Sequence, residues 1–108
     1  MADSLRMNGK IAEVIYFDSR ISDTSIIQWI SYLAIKYGIT LTQTDYLDSR
    51  KKVIWNNTDY PEFCSSIAGL GRDNSMGLCQ KQSYFADEQI VIGIDNFATT
   101  NEANSAHI

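Results

Sequence analysis

Gly69, Gly71 and Gly77 enclose Arg72, Asp73 and Asn74, the densest run of residue types that could do chemistry in this chain. Glycines of this kind can cradle a phosphate, but a nucleotide loop needs its third glycine three residues after the second. Here it comes six residues later, and no Gly-Lys-Ser/Thr follows. Nucleotide binding is excluded on spacing. Nucleophilic catalysis by a Ser-His or Cys-His pair fares no better, because the single histidine is His107, beside the last residue given in a segment expected to fray. Asp73, Asp87, Glu88 and Asp95 could offer oxygen ligands to calcium, yet their spacing matches no calcium loop. Neighbouring Asp87 and Glu88 would point to opposite faces of a strand, which leaves no carboxylate pair for glycoside hydrolysis. The expectation is therefore a protein without catalytic residues, metal or cofactor.

A structural role explains the same stretch economically. Glycines allow positive φ, Asp73 and Asn74 can hydrogen-bond within their own turn, and Arg72 can clamp carbonyls or a carboxylate. This predicts a β-turn-β segment. Gln80, Lys81 and Gln82 follow as a polar strip that either meets sugar hydroxyls or forms the solvent face of a strand.

Cys64 and Cys79 lie 15 residues apart without C-x-x-C spacing, which disfavours zinc. Two readings stand: a small hydrophobe with a loop thiol, or a disulfide outside the cytosol that would stabilise by about 3 kcal/mol in the chain-entropy model. The formal charge of −4 argues against nucleic acid, whose partners gather a basic excess on one face. Arg50, Lys51 and Lys52 form the only basic run. No apolar run approaches the roughly 20 residues of a membrane span, so no membrane insertion is expected. The first residues lack a secretory core.

With 44% hydrophobic residues in 108, the chain suits one compact domain. Lys10–Phe17 is apolar on both alternating faces, as in a strand covered on both sides; Glu13, which interrupts one face, is either a strand-edge charge that reaches solvent, the commoner case, or a partner for a buried cation or a functional carboxylate. Ser22 or Asp23 can cap a helix over about 24–37 that Gly38 stops. Its stripe of Ile26, Ile30, Leu33 and Tyr37, with Ile27 and Ala34 alongside, is expected to face the core, and Trp29 beside it to sit at the core edge, the alternative being a binding aromatic. Further strands are expected at Ile39–Thr44, Lys51–Trp55, Phe63–Leu70 and Glu88–Asp95, with an exposed loop at Asp45–Arg50. The fold class is α+β, mainly β: short antiparallel strands with one amphipathic helix, a partial β-sandwich fragment. About five strands leave the first and last without partners, so the fragment should be marginal or associate.

Ile67-Ala68-Gly69-Leu70-Gly71-Arg72-Asp73-Asn74, then Gly77-Leu78 and Gln80-Lys81-Gln82-Ser83, resembles the signature of a domain of unknown function in large secreted or surface proteins of Bacteroidetes. Ile11–Phe17 with Ser31–Leu41 is similar to the end of a laminin-G-like or concanavalin-like jelly roll, and Val91–Ile94 resembles the strand after the signature. Cys79 departs from the asparagine expected there. The resemblance implies residues 1–41 as the last strand and helix of the jelly roll and 42–108 as the start of the β-rich domain. It also implies export, an extracellular or cell-surface location, packing on the missing upstream jelly roll, and no catalytic residues. The functional expectation is a non-enzymatic module for adhesion or glycan binding, with Arg72, Asp73, Gln80 and Gln82 as the contact patch for a glycan or surface protein. The alternatives are a structural spacer or assembly element without ligand, or a remnant of a polysaccharide-degrading enzyme.

Overall fold

A computed structural model describes residues 6–65, 67–84 and 90–108. It is α+β, mainly β: one helix, α1 (Asp23–Tyr37), and six short strands. The strands are β1 (Tyr46–Leu47), β2 (Val53–Trp55), β3 (Gly71–Asp73), β4 (Leu78–Gln80), β5 (Gln82–Tyr84) and β6 (Val91–Gly93). They pair antiparallel in three separate two-stranded sheets, β1 with β2, β3 with β4 and β5 with β6, and close no barrel.

Local chemistry explains the ends of α1. Ser22 caps it, its Oγ accepting from the Ser25 amide at 3.2 Å, which satisfies one of the donors that a helix start leaves free. Gly38 ends it at φ +66°, the left-handed conformation that costs glycine least.

The face α1 buries is not the expected apolar stripe. Ile26, Ile30 and Tyr37 are exposed, while Gln28, Ser31, Tyr32 and Ala34 are buried. Polar bonds to β1 and to Asp48 just after it set this rotation. Gln28 Nε2 donates to Asp48 O at 2.9 Å, and Ser31 Oγ accepts from the Leu47 amide at 2.9 Å. Turning the helix to bury the isoleucines would strand both groups, and an unmade buried hydrogen bond costs more than an exposed methyl. Trp29 does sit at the core edge, stacked edge-on between Phe17 and Tyr32 with centroids 5.7 Å away on either side.

Several expected strands fail for want of a partner. Residues 10–17 join no sheet. Glu13, Ile15 and Phe17 are partly covered, but on the other face Val14 is 75% and Tyr16 85% exposed. Glu13 is no solvated edge charge, since it accepts from Lys36 Nζ at 2.9 Å, Tyr37 Oη at 2.7 Å and Tyr32 Oη at 3.2 Å. Those hydrogen bonds, Lys36 first and Tyr37 next, hold its carboxyl below the ordinary value. The Tyr32 hydroxyl and then Glu13 in turn hold the Lys36 ammonium above its own. One carboxylate thus straps the N-terminal segment to α1.

Residues 39–44 are not a strand because side chains take their backbone groups. Tyr46 Oη, in a side chain only 1% exposed, accepts from the Leu41 amide at 2.9 Å and donates to Ile39 O at 3.2 Å. Asn57 Nδ2 donates to Leu41 O and Thr44 O. The expected loop at 45–50 instead contains β1. Phe63–Leu70 forms no strand among its described residues, and a 3₁₀ turn, Pro61–Phe63, precedes it. The last strand is shorter than expected but not alone: β6 pairs with β5 from Gln82↔Gly93 to Tyr84↔Val91. Glu88 and Asp87 lie outside the described residues.

Among the described residues the interior is unusually polar. Tyr32, Ala34, Tyr46 and Ala106 are its buried hydrophobic members, against Gln28, Ser31, Asn57, Gln80, Gln82, Ser83 and Asn104. The Cα radius of gyration is 15.8 Å, above the ~13 Å typical of 100 compactly folded residues. Hydrogen-bonded amides carry much of the work that apolar packing does elsewhere.

Candidate functional site

Residues 71–80 form the expected β-turn-β unit, with Gly71↔Gln80, Arg72↔Cys79 and Asp73↔Leu78 in register. Asp73 Oδ1 accepts from the Ser75 amide at 3.1 Å and the Met76 amide at 3.4 Å, which folds the turn. Gly77 closes it at φ +70°. The other carboxylate oxygen of Asp73 accepts from the Ser49 amide at 2.9 Å, which ties this hairpin to the β1–β2 hairpin. Partial burial pulls the Asp73 carboxyl upward, but the Ser49, Met76 and Ser75 bonds outweigh it and leave it below the ordinary value.

The β1–β2 connection is built the same way. Asp48 Oδ1 accepts from the Arg50 and Lys52 amides, each at 2.8 Å, and the Lys52 amide contributes most to holding the carboxyl below its ordinary value. Lys51 is forced to φ +66°. Two aspartates therefore serve as ionised turn anchors, a poor state for proton donation.

Between α1, these two hairpins and the stretch 67–70 lies a cleft of about 610 Å³. Tyr32, Ile35, Ile54, Trp55 and Leu70 give it apolar and aromatic lining, while Asp48, Ser49, Asp73, Asn74 and Arg72 supply polar groups. The Trp55 Nε1–H is buried without a hydrogen-bond partner among the described residues. Buried donors are rarely left so.

The four residues expected to form a contact patch separate into two pairs. Arg72 is exposed, with Nε donating to Asn74 Oδ1 at 2.6 Å and Nη1 to Ile108 O at 3.2 Å. Asp73 is partly buried beside it. Gln80 and Gln82 instead point inward and are buried, so these two glutamines form no solvent face, while Lys81 between them stays partly exposed. Gln80 Nε2 donates to Gln82 O at 2.7 Å. Gln82 pairs with the Ala98 backbone at both ends of its amide, accepting from Ala98 N at 2.9 Å and donating to Ala98 O at 2.8 Å. Asn104 Nδ2 bridges Gln82 Oε1 at 3.2 Å and Asn96 O at 2.7 Å. These bonds tie Asn96, Ala98 and Asn104 of the polar tail to Gln82 and to one another, while His107 is exposed.

Sequence reasoning missed Trp55, Ser49, Leu70 and Asp48 as lining residues, because the β1–β2 and β3–β4 hairpins are separate stretches of chain and no local spacing joins them. Cys64 is partly buried and Cys79 exposed, and no disulfide joins them in this structure. No group of three or more His, Cys, Asp or Glu among the described residues is placed to hold a metal. No helix among the described residues is long and apolar enough to cross a membrane.

No curated protein and no solved structure matches this chain. A family model described as a domain of unknown function (DUF8202) matches residues 26–108, from the first turns of α1 through both hairpins that wall the cleft, and the chain belongs to that family.

Proposed function

We propose that the chain is a non-catalytic binding module of an exported bacterial surface protein, and that the cleft between α1, β1–β2 and β3–β4 takes a carbohydrate. The cleft carries this reading. Its volume of about 610 Å³ lies within the ~300–1,000 Å³ of small-molecule sites. Aromatic and aliphatic walls suit the C–H faces of a sugar, while Ser49, Asn74 and Arg72 suit its hydroxyls. Trp55, which lines the cleft, carries an N–H with no partner among the described residues, a donor available to a ligand oxygen. The nearby aspartates are committed to backbone amides, which favours binding over chemistry. Export rests on the resemblance of residues 67–83 to surface-protein domains. A glycan array of wild type beside Leu70→Arg tests the site, since Leu70 is on the cleft wall and already 38% exposed. Array binding that Leu70→Arg abolishes supports the reading, and an array silent for wild type removes the carbohydrate.

A second reading, a structural assembly element, draws on a different observation. Val14, Tyr16, Ile26 and Ile30 are all exposed on the N-terminal segment and α1. Large apolar side chains left exposed in such number can mark surfaces that pack on something else. A longer polypeptide carrying the upstream jelly roll should then melt well above this chain, and an unchanged melting temperature counts against it.

A further inference from the structure

Between the β3–β4 hairpin and residues 105–108 a second cavity, of about 360 Å³, is lined by Arg72, Lys81 and His107 together with Cys79, Ser105 and Ile108. In a chain with 13 acidic residues against 9 lysines and arginines, a cavity lined by an arginine, a lysine and a histidine, with no Asp or Glu among its described lining residues, runs against the overall charge. The hairpin register puts Arg72 directly opposite Cys79, two residues before Lys81, which follows the end of β4, and Arg72 and Lys81 both line the cavity. The backbone holds both in place: Lys81 Nζ donates to Asn104 O at 2.7 Å and Arg72 Nη1 to Ile108 O at 3.2 Å. A lysine ammonium has three donors and an arginine guanidinium five. Among the described residues, these contacts and the Arg72 bond to Asn74 leave two on Lys81 and three on Arg72. Arg72, Asn74 and Leu78 line both this cavity and the larger cleft, so the two meet at the hairpin.

We propose that this second cavity is an anion subsite, which receives the carboxylate or sulfate of an acidic saccharide whose neighbouring sugar lies in the larger cleft. The part concerning the neighbouring sugar rests on the carbohydrate reading above; the anion site stands on its own residues. Charge-assisted hydrogen bonds from positioned cations are the strong kind, and arginine matches a planar oxyanion in two contacts.

The test is titration calorimetry of the whole chain with a uronic-acid trisaccharide and its neutral counterpart, for wild type, Arg72→Gln and His107→Gln, with inorganic sulfate followed by NMR in parallel. His107 is exposed, so His107→Gln guards against a result that merely reflects misfolding of the arginine variant. The expected result is acidic over neutral binding by about tenfold or more at low salt, falling toward parity in Arg72→Gln and weakened in His107→Gln. Sulfate should shift the resonances of residues 72, 81 and 107. Equal affinity for the two trisaccharides, or an acidic preference that both variants retain, overturns the subsite. If neither trisaccharide binds, the carbohydrate reading fails and sulfate decides: localised shifts at these residues uphold the anion site, and their absence overturns it.

Discussion

Gln82 is the residue on which most of the C-terminal half depends. It is fully buried, and its amide imitates a strand partner for Ala98. Gln82→Ala would orphan an N–H and a C=O of Ala98, at about 1–3 kcal/mol apiece, and urea unfolding should show a loss of that order. Tyr46→Phe is the matched test in the N-terminal half, because its hydroxyl serves both Leu41 N and Ile39 O. Its cost should fall in the same range of about 1–3 kcal/mol. The carboxylates also set a pH dependence. Glu13, Asp48 and Asp73 all have lowered values in the fold. Their contribution is complete above the ordinary carboxylate range, about pH 4, and is withdrawn as pH falls through the lower folded values. Melting temperature should therefore hold from neutral pH down to about pH 5 and fall below about pH 4, with a shallower fall in Glu13→Gln. Lys36, held above its ordinary value, loses its contribution only as pH rises through the alkaline range.

Among the elements, α1 was the most legible, and the reason is local. Ser22, the run to Tyr37 and Gly38 carry start, body and stop within one stretch of chain. Ser22→Ala should cost about 1 kcal/mol. Gly38→Ala should cost more, since the added Cβ would sit at φ +66° and 3.3 Å from Tyr84 O. The β3–β4 hairpin was legible for the same reason, with Asp73 and Gly77 writing the turn. What periodicity could not show was which face α1 buries or which segments find strand partners. Residues 10–17 and 39–44 have strand-like patterns, but the first finds no ladder and the second gives its backbone to Tyr46 and Asn57. The cleft was illegible because Asp73 and Ser49, which join its walls, are 24 residues apart and meet through a backbone amide. Glutamines 80 and 82 read as a ligand strip from their polarity, and their burial follows only from the tail that folds over them. Lys51 offers an element-level check on the strained β1–β2 turn. Lys51→Gly relieves a left-handed conformation at a non-glycine residue, and should raise stability by up to about 1 kcal/mol.

At the scale of the whole molecule, the fold pairs a small apolar interior and a dense amide network with a surface that leaves many large hydrophobic side chains exposed. Such a molecule gains specificity from its hydrogen bonds and little surplus stability from burial. That suits a module whose two hairpins are held rigidly around a cleft. The measurement that bears most directly on that account is backbone NMR of the chain titrated with the strongest saccharide from the array. Binding at the cleft predicts saturable shifts concentrated on Ser49, Leu70, Asp73 and Asn74, with the α1 residues Ile26 and Ile30 unmoved, and their loss in Leu70→Arg. Shifts centred on the exposed face of α1, or no saturable shift with any saccharide, would contradict it.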